Sequence, residues 1–297
     1  RQYVFTIPKC LRIYLEYDRE LLGELSRCAY ESIKEFFQAA VPDKESTPGA
    51  IIAIQTFGEM LNFYPHLHCL VTDGCFGKEG AFYQLPSLVD LDLLSDLFRH
   101  KVLRMLLSKG KITGVLVDNL LSWPHSGFHV HQGERIESDD KAGGERVAAY
   151  VPGSGPGQAL RAPLSQEKMV YLEEKGQVIY SSGKKGGDKK LFTALDWLAA
   201  LTTHIPDRGE QMVHYYGWYS NKSRGIRKKN TQQATQEPLV ILPEFSATQY
   251  RRHWSQLIKK VYEVDPLVCP KCQGQMKIIA VIDDPQVIRK ILVHLGL

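Results

Sequence analysis

The sequence has no run of about 18 or more apolar residues, so nothing in it reads as a membrane span. Its opening, RQYVFTIPKCLRIYL, lacks the charged, apolar and small-residue order of a signal peptide. It also lacks an initiator Met, so the chain is expected to be a piece of something longer. Cysteine is sparse, six in 297 residues; Cys10, Cys28, Cys69 and Cys75 are scattered, and only Cys269 and Cys272 have metal-type spacing. That argues against a disulfide framework and fits a reducing, cytoplasmic setting. Gly153 to Gly157 lacks the Gly-Lys-Ser/Thr ending of a phosphate-binding loop and contains Pro156, so it is not one. No internal repeat is found.

What is present is an ordinary globular composition, 43% hydrophobic and 24% charged, with a formal charge of +4. So small an excess says less than where the charges lie. Leu11 to Leu22 and Glu24 to Ala40 have helical spacing, followed by a turn cluster from Val41 to Gly49. Ala50 to Phe57 and His66 to Val71 read as strands, Leu88 to Leu107 as a helix, and Gly114 to Val117 and Gly127 to His131 as short strands. Glu137 to Gly144 and Pro152 to Gly157 read as loop. Met169 to Leu172 and Gln177 to Tyr180 form a hairpin pattern, and Ser181 to Lys190 a basic loop. Phe192 to Thr203 is helical in spacing. Asn230 to Glu237 reads as a linker, and Phe245 to Val261 and Pro285 to Leu295 as helices. Strands interrupted by unequal helical stretches predict an α+β fold with a central antiparallel sheet and packed helices. The expected division is a domain over 1–230, with a loop-rich insertion at about 132–190, and a small, mostly helical C-terminal domain over 231–297.

Two His-x-His patterns stand out. On a strand, positions i and i+2 share a face, so His66 and His68 can clamp one ion while Leu67 points into the core. His129 and His131 repeat the pattern, but in a more exposed setting beside Gln132, Gly133 and a charged loop. A firm site needs a third ligand: Gln55 at the end of the preceding strand, the carboxylate of Glu59, or, more weakly, His204.

The stretch Val213 to Gly225 holds Tyr215 and Tyr219, four apart and so expected on one face of a helix, with Tyr216 pointing elsewhere. Gly217 between them suits a close approach by backbone or DNA. Lys222, Arg224, Arg227, Lys228 and Lys229 follow with no acid among them, a pattern suited to phosphate contacts, and Trp218 offers a ring for base stacking. Cys269-Pro-Lys-Cys272 followed by Gly274 has the shape of a zinc knuckle with two of the four ligands structural zinc takes.

Together these residues resemble a known family. Gln55 to Gly58, Asn62 with Pro65 to His68, His125 to Phe128, Arg161 to Ser165, His204 to Pro206, Met212 to Gly225, Val264 to Cys272 and Ile278 to Leu297 occur in the order seen in rolling-circle insertion-sequence transposases of the HUH superfamily, two-tyrosine branch. The resemblance spans nearly the whole chain. It implies that His66 and His68 bind magnesium or manganese, that Tyr215 is the nucleophile and that Tyr219 is the second tyrosine. It implies cleavage and rejoining of single-stranded DNA at mobile-element ends through a 5′-phosphotyrosine, in the cytoplasm at the nucleoid. It places no weight on His129 and His131. Two departures are the absence of the family's N-terminal cysteine-rich zinc module and an irregular Val151 to Leu160. These keep an inactive DNA-binding remnant as an alternative; a rolling-circle replication initiator sharing the chemistry is another.

Overall fold

In the first strand, β1 (Gln2–Thr6), Tyr3 and Phe5 are buried while Gln2, Val4 and Thr6 between them are half-exposed. A strand projects successive side chains to opposite sides, so this alternation separates an apolar face of the sheet from a polar one. The computed structural model describes residues 1–58, 60–77, 81–85, 90–123, 125–133, 135, 166–181, 187–229, 239–242, 259, 267–269, 271–276 and 285–294.

β1 pairs with β3 (Phe63–Val71) and β6 (His129–Gln132); β3 pairs with β2 (Gly49–Phe57), and β2 with β10 (Val213–Gly217). All four pairings are antiparallel, giving one sheet in the order β10-β2-β3-β1-β6. Helices α1 (Lys9–Tyr17) and α2 (Glu20–Ala39) follow β1; α3 (Leu91–Ser108) and α4 (Gly114–Leu121) precede β6. Helices α2 and α3 cover the apolar face: Tyr3 meets Phe37 edge-on, Phe5 meets Phe98 at 4.9 Å, and Tyr216 stacks on Tyr30 at 4.7 Å. Each large apolar side chain buried there stabilises the fold by about 1.5–3 kcal/mol.

A second sheet joins β4 (Gly74–Phe76), β5 (Ala81–Gln84) and β11 (Leu239–Ile241), the last parallel to β5. A third is the meander β7 (Met169–Leu172), β8 (Gln177–Ser181) and β9 (Lys189–Thr193), which leads into α5 (Ala194–Thr202). Tyr180 and Phe192 of this meander pack on Leu61, with Trp197 of α5 beside them, so the β2–β3 turn is held from outside the main sheet. Arg19 at the start of α2 pairs with Glu210 at 2.9 Å and donates to the Thr203 carbonyl at 2.7 Å, anchoring the segment that enters β10. Helix α6 (Asn221–Lys229) follows β10, and α7 (Pro285–His294) is the last helix. The chain divides into two compact units, Arg1–Pro243 and Glu244–Leu297.

Among the described residues the fold is α+β with a central antiparallel sheet and seven helices, and no helix is long and apolar enough to cross a membrane. Several local expectations change: the helical stretch read over Leu11 to Leu22 breaks at Asp18 and Arg19, and Phe192 belongs to β9. Gly114–Leu121 is helical rather than extended, because the Thr113 hydroxyl accepts from the Leu116 N–H and caps the first turn. Part of the presumed loop at Ser181 to Lys190 is strand, since Lys189 and Lys190 pair with Ser181 and Tyr180. The tyrosine stretch is a strand and a turn, not a helix. The loops read at 137–144 and 152–157, the linker at 230–237 and the stretch 161–165 lie outside the described residues, as does all of the helix read over 245–261 except residue 259.

Candidate active site

β3 has the burial rhythm of a strand covered on one side: Leu67, Cys69 and Val71 are buried, and His66, His68 and Leu70 between them are half-exposed. His66 and His68 therefore share the polar face, with ring centroids 4.9 Å apart. Cross-strand register then names their neighbours. Gln55 of β2 and Thr6 of β1 flank His66; Ala53 and Val4 flank His68. A register shift between Gln55 and Phe57 marks a bulge beside the pair, a device that re-aims side chains at sheet rims.

Burial lowers the proton affinity of both rings. His66 is shifted down by desolvation, and His68 is pushed down to about 4 by desolvation and by its neighbour His66. Both are thus neutral near pH 7, the form that ligates metals. The His66 Nδ1–H donates to the Tyr64 carbonyl at 2.8 Å, which leaves Nε2 with its lone pair outward. Such a backbone partner fixes tautomer and ring orientation in metal-binding histidines. The Gln2 side-chain Nε2–H donates to His68 Nδ1 at 3.2 Å, so that ring nitrogen accepts. Arg12 of α1 lies over the Tyr64 ring at 3.9 Å.

The donor set fits a divalent ion: two neutral imidazoles with Gln55 directly across from one of them. Among the described residues no group of three His, Cys, Asp or Glu gathers anywhere, so a third ligand from the described residues has to be of another type, as Gln55 is. Glu59 lies outside the described residues. His204 is removed as a ligand: its Nδ1 meets the Thr56 hydroxyl at 3.2 Å and its Nε2 the Leu61 carbonyl at 3.2 Å, so both nitrogens are engaged in the core.

On β10, Tyr216 points to the apolar face, where its hydroxyl meets Ser26 of α2 at 3.1 Å. Tyr215 therefore points to the polar face and is 42% exposed. It pairs with Ile51, which pairs with Leu70, so Tyr215 lies two strands across and one same-face step along from His68. Strand spacing and rise put their Cα atoms about 12 Å apart.

Tyr219 reaches the sheet differently. Its ring lies over Gly49, where a Cβ would come within 2.8 Å of two ring carbons, and burial raises the phenol's pKa. The helical register expected for Tyr215 and Tyr219 fails because Gly217 has φ +56° and no room for a side chain: a Cβ would run into the Pro48 carbonyl oxygen. The close approach read at Gly217 is thus by backbone. The chain turns there, Ser220 caps α6 through the Ser223 N–H, and Tyr219 sits in the turn between strand and helix.

Trp218 stacks on Phe76 at 4.3 Å on one face and carries the Arg227 guanidinium at 4.1 Å on the other. A base would have to displace Arg227 to stack there. Arg227 also donates to the Trp218 carbonyl at 2.7 Å and its charge partly offsets the rise at Tyr219. Lys222, Arg224, Lys228 and Lys229 are exposed on α6. His129 and His131 share the polar face, opposite Thr6 and Val4, but on the outermost strand and exposed. Cys269 and Cys272 lie in a short hairpin of the second unit. Gln2, Tyr64 and Arg12 are site residues that sequence reasoning missed; no spacing rule links positions joined only by strand register.

The family model Y2_Tnp, described as "Putative transposase", matches residues 49–227, which hold β2, β3, β10 and nearly all of α6. The chain belongs to this transposase family. The transposase is 23% identical over 292 residues to the "Transposase for insertion sequence element IS801" of Pseudomonas savastanoi pv. phaseolicola, covering 94% of this chain and 67% of the relative. It is 24% identical over 300 residues to the "Putative transposase y4qJ" of Sinorhizobium fredii (strain NBRC 101917 / NGR234), covering 94% and 73%. No solved structure matches the transposase.

Proposed function

We propose that this transposase cuts and rejoins single-stranded DNA at mobile-element ends, with Tyr215 as nucleophile and Tyr219 as the second tyrosine. One observation carries the reading: Tyr215 of β10 and the His66–His68 pair of β3 project from the same face of one sheet, with β2 between their strands. A phosphodiester lying across β2 would meet both.

His66, His68 and Gln55 would hold magnesium or manganese, which supplies Lewis-acid polarisation of a phosphoryl oxygen when bound. The chain's own groups do the rest. The Tyr215 oxygen bonds to phosphorus and the P–O3′ bond breaks. The phenol gives up its proton and the departing 3′-oxygen takes one up, leaving a 5′-phosphotyrosine and a free 3′-hydroxyl. Reversal by another 3′-hydroxyl rejoins strands without ATP. Lys222, Arg224, Lys228 and Lys229 hold phosphates, and Arg227 does so from its place on Trp218.

Single-stranded oligonucleotides from the element's ends, mixed with the transposase and manganese, test this. The expected result is a protein–DNA band that survives denaturant, depends on the ion and is lost in Tyr215→Phe or in Tyr215→Phe/Tyr219→Phe. A band retained in the double variant overturns the assignment.

A further inference from the structure

Among its described residues the second unit contains one tight turn. Between Leu267 and Met276 the chain doubles back: the Met276 N–H donates to the Leu267 carbonyl at 2.7 Å, and Val268 bridges Gln275. Inside that pair, the Cys269 N–H donates to the Gly274 carbonyl at 2.9 Å and the Gln273 N–H to the Cys269 carbonyl at 2.8 Å. Gln273 takes a left-handed backbone, φ +58°, which a non-glycine residue adopts at a cost. At Gly274 a Cβ would stand 3.3 Å from the Cys272 sulfur, so glycine gives that thiol room.

The result is organised around sulfur. The Cys269 sulfur lies close to the backbone N–H groups of Lys271 and Cys272 and to the Cys272 side chain. Lys271 to Met276 are all exposed, so burial of apolar surface does not account for the order of the turn. Binding an ion would, because in small exposed loops metal binding free energy is folding free energy.

We propose that Cys269 and Cys272 are two ligands of a zinc ion that ties this hairpin, separate from the His66–His68 face and structural rather than catalytic. Thiolates select soft or borderline ions over magnesium and manganese, so the two sites take different metals. Structural zinc takes four ligands. The remaining two come from elsewhere in the same chain or from the same hairpin of a second copy.

The test is zinc content of the purified full chain by mass spectrometry, measured with oligomeric state and independently of any DNA reaction. The expected result is retained zinc that is lost in Cys269→Ser and in Cys272→Ser and kept in Cys10→Ser, which alters an exposed thiol outside the hairpin. Cys272→His should keep it, since imidazole can replace one thiolate; this separates ligand loss from misfolding. Substituting cobalt should give a thiolate-to-cobalt absorption in the unaltered chain and none in the serine variants. One zinc per chain in a monomer, or one per two chains in a dimer, both support the site and assign the other two ligands. Zinc absent after purification and after zinc addition, zinc unaffected by both serine variants, or a Cys269–Cys272 disulfide in the freshly isolated protein overturns it.

Discussion

The transposase carries the His-x-His pattern twice on one face of one sheet, and the two copies differ in almost everything except pattern. His66 and His68 sit on β3, the middle strand, with β2 and β1 on either side. Desolvation there holds the rings neutral, the Tyr64 carbonyl orients one ring, and Gln55 stands across from it. His129 and His131 sit on β6 at the sheet's edge, with exposed side chains and only Thr6 and Val4 beside them in register. Two strand spacings, about 10 Å, separate β6 from β3. That is too far for the pairs to form a two-metal centre, whose ions lie about 4 Å apart. Pattern and facing are shared; what differs is the supply of neighbours on both sides.

Removing each pair draws that contrast most sharply. His66→Ala/His68→Ala should lower metal-dependent covalent DNA attachment by about a thousandfold or more. His129→Ala/His131→Ala should stay within about twofold, as surface substitutions do. Equal losses in a gel assay of attachment would break the distinction. The buried residue inside each pair should instead make them alike in kind: Leu67→Ala should cost about 2–5 kcal/mol of stability in urea unfolding and Val130→Ala roughly half that, since both side chains face the core. A negligible cost at Leu67 would contradict the facing assigned to β3.

The next effect is smaller. Gln55→Ala should raise the manganese concentration needed for half-maximal attachment by about 10- to 100-fold, the range seen when a supporting partner of a metal site is lost. An unchanged titration would remove Gln55 from the site and direct attention to Glu59. The smallest expected effect is on stability against pH, measured with the metal chelated. His68 has its affinity for a proton lowered from the ordinary 6.5 to about 4 by folding. The unfolded chain therefore binds more protons between those values, and stability falls as pH drops from about 6.5 toward 4. His68→Gln should flatten that part of the curve; an unchanged slope would mean the ring is not desolvated as described.

Much of this was readable from residues alone. The strand at Ala50 to Phe57, the strand holding His66 and His68, the long helices and the hairpin at Met169 to Tyr180 follow from local periodicity. The helical spacing expected for Tyr215 and Tyr219 did not survive. Val213 to Gly217 has no residue that excludes a helix, and pairing with β2 decided the matter. Tyr215 faces the histidines because of strand alternation, whereas Tyr219 arrives over Gly49 through a turn made possible at Gly217. Trp218 was read as a ring for base stacking; Phe76, far away in sequence, and Arg227 occupy its two faces.

The sequence by itself determined the periodicities, the two histidine pairs, the basic run after Trp218 and the cysteine spacing, because each depends on residues within one or two turns of chain. Only the tertiary structure decided which histidine pair lies between neighbouring strands, that Gln55 faces His66, that His204 spends both nitrogens in the core, and that Tyr215 shares the histidine face. Those relations depend on register between strands distant in sequence. A shift of one residue would turn every such side chain to the other face, so no local pattern can stand in for the pairing itself.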